Sequence, residues 1–422
     1  MPVLNHSIQE RLYLRNLAQH YIELARLPVM AERTALWFRH NRLHGERPVI
    51  VMEMATFEND MLPPLKCESE FGQRMELELQ RHIINCKMIG DDKVVPDYFT
   101  VIMDIDIKLF GLVQKREYAK DVTGRKLGWH DEHFIKDIEN DFSKLSHSEI
   151  IYDRVKTEEY IDFARDVLGD IMPIRVKNCS LDWLFGISNR IIELMGMEAL
   201  MYAIYDSPEL VSRLYDYVCG DLIGVLRKME SLKLLTPNNG NDYAGSGSYG
   251  FSDELKPNSA PEGGILSSML WGNMNSQETV GISPEMYGEF AYPAYERAAR
   301  EFGLVYYGCC EPVHPVWENY ISKLPNLRKV SVSPWCDEKY MGEALRKTRV
   351  IYSRKPSPNF IGVGHDFDEE AYGNHIAATL RAAKGCKLEF IHRDIYTLSG
   401  NLNKPRRAVE IIRRKIDDMW QA

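Results

Sequence analysis

Four side chains that can bind a soft metal ion lie close together near residue 310. They are Cys309, Cys310, Glu311 and His314, in the segment Tyr307-Gly-Cys-Cys-Glu-Pro-Val-His314. Thiolate, imidazole and carboxylate groups are ligands that zinc prefers in proteins. Adjacent cysteines point in different directions on an extended chain, so we expect one or two members of this group to bind the same ion. The alternative is that the cysteines are small buried packing residues. We predict a zinc site for which the candidate ligands are Cys309, Cys310, His314 and His392, with Cys336 as a further candidate.

A glycine-rich stretch, residues 236–275, is the longest segment without a helix or strand pattern. A loop of this length in a compact domain is usually functional or disordered. Its tyrosines and amides can grip a small organic ligand, although its composition also fits a flexible, solvated loop. The predicted substrate-binding residues, from this loop and from other predicted strand ends, are Asn239, Asp242, Tyr243, Tyr249, Trp271, Tyr307, Trp335 and Arg354.

Eight short apolar runs predict the strands that would position these residues. The runs span residues 49–54, 99–104, 171–176, 232–237, 303–308, 328–333, 349–353 and 387–392. Helix-like segments lie between them, at 207–231, 283–302 and 368–383, each opening with Ser or Asp and early acidic residues. Strands that alternate with helices favour a parallel sheet, and eight such units favour a closed barrel with its active site at the carboxyl ends of the strands.

We therefore predict an α/β fold, a (β/α)8 TIM-like barrel over residues 45–422 that follows an N-terminal helical extension over residues 1–44. The extension is predicted from apolar residues at helical spacing between residues 8 and 40. No helix opens with a glycine-rich phosphate loop, which disfavours a dinucleotide-binding fold.

The composition is that of an ordinary globular protein. The chain has 422 residues, of which 45% are hydrophobic and 27% charged. Its formal net charge of −9 gives no positive field for a nucleic acid, so we expect no nucleic-acid partner. No apolar stretch is long enough to span a membrane, and the first residues show no secretory signal. We expect a cytoplasmic protein with reduced cysteines and leave open whether it forms a homodimer.

Two further segments carry a family resemblance. They are Met197-Glu-Ala-Leu-Met-Tyr-Ala-Ile-Tyr-Asp-Ser-Pro-Glu-Leu210 and Gly281-Ile-Ser-Pro-Glu-Met-Tyr-Gly-Glu-Phe290. The chain resembles the uroporphyrinogen decarboxylase superfamily over roughly residues 45–418. This superfamily has a (β/α)8 fold and also contains corrinoid-dependent methyltransferases.

The resemblance is closer to the methyltransferase branch than to the true decarboxylases. Decarboxylases of the family carry an arginine-rich segment after the first strand, whereas the corresponding residues here are Met52-Glu-Met-Ala-Thr-Phe-Glu-Asn-Asp-Met61. An acidic stretch repels a substrate with many carboxylates. The methyltransferases carry a zinc motif His-x-Cys after the fifth strand, which aligns with Tyr307-Gly-Cys309, and a cysteine after the eighth strand. Here the eighth strand ends in His392-Arg-Asp394, so the ligands other than Cys309 are chosen for their chemistry.

The resemblance implies a methyltransferase that moves a methyl group from a small methylated donor (methoxy, methylamine or similar) to the cob(I)alamin of a separate corrinoid protein. A metal at Cys309 would activate the heteroatom that loses the methyl group. We predict Glu311 and Asp394 as the catalytic carboxylates. The cobalamin is expected on a partner because the chain has no Asp-x-His-x-x-Gly corrinoid motif.

Two alternatives remain open. One is a decarboxylase or lyase for a small acid, in which Arg354, Lys355 or Arg393 binds the carboxylate and Asp104 or Asp394 handles protons. The other is a catalytically silent barrel that binds a ligand or a partner protein.

Overall fold

The computed structural model describes residues 7–112, 116–120, 126–256 and 264–420. The strands are β1 Val49–Met52, β2 Phe99–Ile102, β3 Ile105–Lys108, β4 Arg116–Lys120, β5 Lys126–Asp131, β6 Glu149–Tyr152, β7 Ile174–Lys177, β8 Tyr243–Gly245, β9 Ser248–Tyr249, β10 Trp271–Met274, β11 Leu304–Tyr307, β12 Leu327–Val332, β13 Ile351–Arg354 and β14 Leu388–His392.

The helices are α1 Ile8–Ala25, α2 Pro28–Asn41, α3 Glu58–Met61, α4 Glu70–Ile84, α5 Ile138–Asp141, α6 Arg154–Leu168, α7 Ile187–Met195, α8 Met197–Asp206, α9 Pro208–Ser231, α10 Pro284–Met286, α11 Tyr292–Ala299, α12 His314–Trp317, α13 Glu338–Leu345, α14 Asn359–Gly362, α15 Glu369–Ala382 and α16 Lys404–Met419. Among the helices of these described segments, none has the length and apolar character that crossing a bilayer requires.

The centre of the fold is a six-stranded parallel sheet with the strand order β1-β14-β13-β12-β11-β10. A second parallel pair is formed by β2 and β7. The six central strands are almost entirely buried, as expected for parallel strands that are covered on both faces. The predicted α/β class with parallel strands is therefore confirmed.

Among the described residues, side chains bond backbone groups at both edges of the central sheet, and an isolated parallel bridge also joins Met274 of β10 to Phe185. At β1, the carboxylates of Asp92 and Asp91 accept the backbone N–H groups of Ile50 at 2.9 Å and Met52 at 2.7 Å. At β10, the Asn238 amide exchanges two hydrogen bonds with the Trp271 backbone, at 2.9 and 3.0 Å. Buried backbone groups need partners, and these side chains supply them. No ladder joins the two parallel sheets within the described segments, so closure into a barrel remains a prediction.

One predicted strand, at residues 232–237, is wrong. Leu232 and Lys233 instead terminate α9, with Lys233 in the left-handed region at φ 55°. Leu234 and Leu235 follow as buried core residues outside any strand. A short apolar run cannot be distinguished from the end of a buried helix by its periodicity. The strand beside β11 is instead β10, which lies within the stretch that was predicted to be irregular.

The N-terminal helices agree with the helical pattern between residues 8 and 40. Helix α1 packs on α4 and α6 in a separate apolar cluster that includes Leu14 and Phe163. Helix α2 packs on β1 and buries Trp37 and His40 completely. The division at residue 44 stays a prediction.

Capping side chains explain where several helices begin. Ser283 accepts the backbone N–H of Met286 at the start of α10, and Asp368 accepts that of Ala371 at the start of α15. Such caps satisfy N–H groups that have no partner within the helix. Ser207 makes no side-chain cap, and Pro208 at the first position of α9 provides the favoured backbone geometry instead.

Candidate functional site

One buried face of the central sheet is polar. Its side chains come from Lys329 and Ser331 on β12, Ser353 and Lys355 on and just after β13, and Glu389 on β14. Residues i and i+2 of a strand share a face, which brings these groups to the same side. The Tyr306 hydroxyl on β11 connects them, since it accepts a hydrogen bond from Lys355 Nζ at 2.6 Å and donates one to Ser353 Oγ at 2.8 Å.

Two adjacent thiols stand at the carboxyl end of β11. The Sγ atoms of Cys309 and Cys310 are 3.5 Å apart, and Cys310 Sγ lies 3.2 Å from Asp394 Oδ2. Arg393 Nη1 lies 3.9 Å from Cys309 Sγ. Asp394 adopts φ 60°, a strained conformation for a residue other than glycine, and such strain is often found at functional sites.

The thiol of Cys309 differs electrostatically from the other cysteines. The contact with the Cys310 thiol and the nearby charge of Arg393 lower the pKa of Cys309 in spite of its burial. The pKa of each of the other seven cysteines is raised. A lowered pKa favours the thiolate, which is the nucleophilic and metal-binding form. Cys309 is therefore the cysteine best suited to chemistry.

Glu311 holds the loop that carries Cys309. Its buried carboxylate accepts the backbone N–H groups of Cys309 at 2.8 Å and of Ser276 at 2.9 Å. These bonds tie the segment after β11 to the segment after β10. Burial raises the pKa of Glu311. The geometry gives Glu311 a positioning function, and a catalytic role for it stays a prediction.

Arg393 lies beside this thiol pair, and Lys355 interacts electrostatically with Cys309. Arg393 Nε lies 3.0 Å from Glu53 Oε2, and its guanidinium lies 5.2 Å from the centroid of the Trp183 ring. Burial opposes the charge of Arg393, but Glu53 and neighbouring acidic groups raise its pKa. Burial, together with the charge of Arg393, lowers the pKa of Lys355 to about 7, while Glu389 and Cys309 oppose the decrease.

Several members of this cluster were not predicted as site residues. Lys355 and Arg393 were predicted to bind a substrate only in the decarboxylase alternative. Glu53, Trp183 and Tyr306 were not predicted as site residues. Glu389, Ile391 and Arg393 are spaced by two residues, so they lie on the same face of one strand. This spacing could have identified Arg393 as a cation in the interior. Trp183 lies in a loop far away in sequence, and no local pattern indicated its position.

The β8–β9 hairpin lies directly against the polar face. A Cβ atom at Gly245 would lie 2.6 Å from the Tyr306 ring, and one at Gly247 would lie 2.6 Å from Ile391 Cγ2. Both glycines have positive φ, at 147° and 84°. Glycine is thus required both for the backbone conformation and for the close approach.

Two serines fasten this hairpin. Ser246 Oγ donates to the Gly308 carbonyl at 2.8 Å, and Ser248 Oγ lies 3.0 Å from Glu389 Oε2. The loop that was predicted to bind substrate is therefore an ordered part of the interior, and the alternative of a solvated loop is wrong for residues 243–249.

A cavity of about 620 Å³ adjoins the hairpin, between β2, β7, α4 and residues 235–243. The predicted substrate-binding residues Asp242, Tyr243 and Tyr249 line it. Asp242 is held by an ion pair with Lys177 at 2.6 Å. The cavity has the size expected of a small-molecule pocket.

Tyr243 lies between this cavity and the thiol cluster. Its ring is 5.9 Å from that of Trp183, which also contacts Arg393. Burial raises the pKa of Tyr243, while the charge of Arg393 and the backbone of Gly247 oppose the increase. The hydroxyl of Tyr243 is thus buried on the side of Arg393, and its residue also lines the cavity.

The remaining predicted substrate-binding residues lie apart from the cluster. Asn239 donates to backbone carbonyls within its own loop, and the Trp271 indole donates to the Gly250 carbonyl. Trp335 is 73% exposed on the surface. Tyr307 and Arg354 point to the opposite face of the sheet, where Tyr307 bonds Tyr287 and Arg354 pairs with Glu338 on α13.

The two predicted histidine ligands also have other partners. His314 Nδ1 accepts the backbone N–H of Asp337 at 3.3 Å. His392 Nε2 is 2.6 Å from the Tyr372 hydroxyl of α15, on the sheet face opposite to Arg393, and burial lowers its pKa to about 3. Among the described residues, neither histidine is hydrogen-bonded to Cys309 or Cys310. Among the described residues, no group of three or more His, Cys, Asp or Glu side chains is arranged to hold a metal ion.

No family model and no curated protein matches the chain. A solved structure of a methyltransferase from Methanosarcina mazei is similar to it, with 11% sequence identity and a TM-score of 0.48. The similarity covers 92% of this chain and 99% of that one. A similarity at this level does not define an activity. Fold and site together define the class of the molecule as a parallel α/β protein with a thiol and two cations at its strand ends.

Proposed function

We propose that the protein is a methyltransferase that takes a methyl group from a small donor and passes it to the cob(I)alamin of a separate corrinoid protein. The observation that carries the proposal is Arg393 Nη1 at 3.9 Å from Cys309 Sγ, in the same sheet interior in which Lys355 is buried and hydrogen-bonded to Tyr306. Removing a methyl group from oxygen or sulfur leaves negative charge on that atom. Buried cations aimed at developing charge are the usual means of stabilising it. The methyltransferase resemblance of the sequence agrees with this chemistry.

The body of the donor fits the cavity lined by Asp242, Tyr243 and Tyr249, and its methyl-bearing atom has to reach past Tyr243 to Arg393. The β8–β9 hairpin, packed against the sheet, excludes water from this interior. The cations favour a donor whose leaving atom becomes anionic, such as a methyl ether or thioether. A permanently charged methylammonium donor is repelled by the same two groups.

Each side chain of the cluster then has a defined task. The corrinoid, when supplied, provides the nucleophile that accepts the methyl group. Arg393 stabilises the negative charge that develops on the leaving atom. Lys355, with a pKa of about 7, gives that atom a proton near neutral pH. The Cys309 thiolate raises the pKa of both cations and so helps to keep them charged in the interior.

This mechanism uses no metal step, because the described side chains do not form a metal-binding group. The zinc expected from the sequence stays a prediction. Elemental analysis of protein purified without chelators tests it. About one zinc per chain that is lost in Cys309→Ser would support the metal site.

The proposed function is tested by the consumption of cob(I)alamin in the presence of methyl ethers and thioethers. Lys355→Met should slow methyl transfer by about 100-fold, the lower end of the range for general acid catalysis. Lys339→Met is a matched control because Lys339 is exposed on α13. Equal rates for wild type and Lys355→Met would contradict the assigned role.

The decarboxylase alternative is favoured by the same observation, since Arg393 and Lys355 could bind a substrate carboxylate. The two functions differ in their products. Release of carbon dioxide from a small acid without any corrinoid would support the decarboxylase. Uroporphyrinogen is not an expected substrate. Glu53 already pairs with Arg393, so the arginine is not free to bind one of the many carboxylates of that molecule.

A further inference from the structure

Cys309 and Cys310 form a vicinal dithiol. All eight cysteines are free thiols, and the Sγ atoms of this pair are 3.5 Å apart. Cys310 is half-buried, and Cys309 keeps 7% of its surface exposed. A small oxidant can therefore reach a pair of sulfur atoms that are already in contact.

The two thiols have complementary surroundings. The guanidinium of Arg393 lies 3.9 Å from Cys309 Sγ and stabilises a thiolate there. The carboxylate of Asp394 lies 3.2 Å from Cys310 Sγ and accepts a hydrogen bond from that thiol. One sulfur can thus attack an oxidant while the other remains a protonated thiol beside a base, which is the arrangement of an attacking and a resolving cysteine.

We propose that Cys309 and Cys310 are a reversible modification site that hydrogen peroxide oxidises to a disulfide. The Cys309 sulfur attacks one peroxide oxygen and forms a sulfenic acid as the O–O bond breaks, and the departing hydroxide takes the Cys309 thiol proton and leaves as the first water. The Cys310 sulfur then displaces the sulfenic hydroxyl, and Asp394 takes the Cys310 thiol proton and passes it to the departing hydroxide, which leaves as the second water. In sum, two thiols and one peroxide give one disulfide and two waters. This chemistry does not depend on the proposed function.

Because Cys309 and Cys310 are consecutive in the sequence, we predict that a disulfide between them is easily reduced. Consecutive Cα atoms lie about 3.8 Å apart across a trans peptide, which is shorter than the usual separation of about 4.4 to 6.8 Å in disulfides. A bond closed at this distance is strained, and strained disulfides have higher reduction potentials. We therefore expect dithiothreitol to restore both thiols completely.

Peptide mapping tests the site directly. Trypsin releases residues 301–323 as one peptide that contains Cys309, Cys310 and no other cysteine. After peroxide treatment of the full-length protein, this peptide should lose the mass of two hydrogen atoms and regain it with dithiothreitol. In Cys310→Ser the same peptide should instead gain one oxygen or more. Cys336→Ser is the matched control, because Cys336 lies against the Glu311 carbonyl and should leave the disulfide unchanged.

A second reagent tests the proximity of the sulfur atoms without oxidation. Phenylarsine oxide bridges two thiols that are close together, so one molecule should attach to peptide 301–323 of wild type and none to that of Cys310→Ser. Oxidation of Cys309 to sulfinic acid in wild type, without loss of two hydrogens, would overturn the proposal. Equal oxidation of several buried cysteines would do so as well. If Cys310→Ser is unfolded by circular dichroism, the wild-type peptide masses decide the question.

Discussion

Lys329→Met should destabilise the protein strongly, because it breaks a buried ion pair. Lys329 Nζ lies 3.1 Å from Glu389 Oε2 and 2.7 Å from Ser248 Oγ, and the side chains of Lys329 and Glu389 are 0% exposed. His40 Nε2 lies 3.1 Å from the same carboxylate oxygen. Burial opposes the ionisation of Glu389, but Lys329 and His40 lower its pKa. Removing the lysine leaves the buried carboxylate without its ion-pair partner, beside a histidine whose pKa is lowered by burial.

The expected loss of unfolding free energy follows from the burial of both charged side chains. Removing one partner of a buried ion pair costs about 3–5 kcal/mol, a large share of the roughly 5–15 kcal/mol that stabilises a typical domain. In Lys329→Met/Glu389→Gln no charge is left unpaired, and the amide can still bond Ser248. We therefore expect the double variant to lie within about 2 kcal/mol of wild type, because replacing a whole buried pair is often nearly neutral.

Urea unfolding followed by tryptophan fluorescence measures this effect. Trp37 and Trp271 are suitable reporters, since Lys329 Nζ lies 5.3 and 5.5 Å from their ring centroids. The urea concentrations at the unfolding midpoint are compared between variants whose unfolding free energy has the same dependence on urea concentration. A Lys329→Met protein within about 1 kcal/mol of wild type, or a double variant as unstable as the single one, would refute the reasoning.

Three further predictions concern the edge of the sheet and the thiol cluster. Asn238→Leu should lower the free energy of unfolding by about 1–3 kcal/mol in thermal or urea unfolding, because two Trp271 backbone groups lose their partner; an unchanged value would contradict this. Cys309 should be alkylated by iodoacetamide at a lower pH than a free thiol, since its pKa is lowered, and Arg393→Met should shift that profile to higher pH; coincident profiles would argue against the Arg393 interaction. Because Lys355 has a pKa of about 7, the rate of methyl transfer should fall as the pH rises above 7, and a rate that stays constant to pH 9 would exclude Lys355 as the proton donor.

The sequence predicted the α/β class and most parallel strands because apolar runs and capping residues are local signals. It failed at residues 232–237, where an apolar run belongs to the end of a helix, and at β10. That strand contains Gly272 and Asn273 between its two apolar residues. It forms because Asn238 and β11 pair with its two edges, and these partners are distant in sequence.

For the site, the sequence placed the thiols at the end of a strand, where the structure has them. It could not show that His392 lies on the opposite face from Arg393, although strand alternation makes that consequence simple once the strand is known. It also treated residues 236–275 as one irregular stretch, whereas Gly245 and Gly247 allow the β8–β9 hairpin within it to pack into the interior. Ligand binding by this stretch stays a prediction. The association of Trp183 and Glu53 with Arg393 depends on tertiary contacts alone.

The most direct test of the proposed function is the absorbance of cob(I)alamin during incubation of the purified protein with a panel of methyl ethers, thioethers, methylamines and betaines. We predict loss of the cob(I)alamin signal with an ether or thioether. In Cys309→Ser, the rate of methyl transfer should be strongly reduced while the affinity for the donor stays nearly unchanged. No loss with any donor, together with release of carbon dioxide from a small acid, would contradict methyl transfer and favour the decarboxylase.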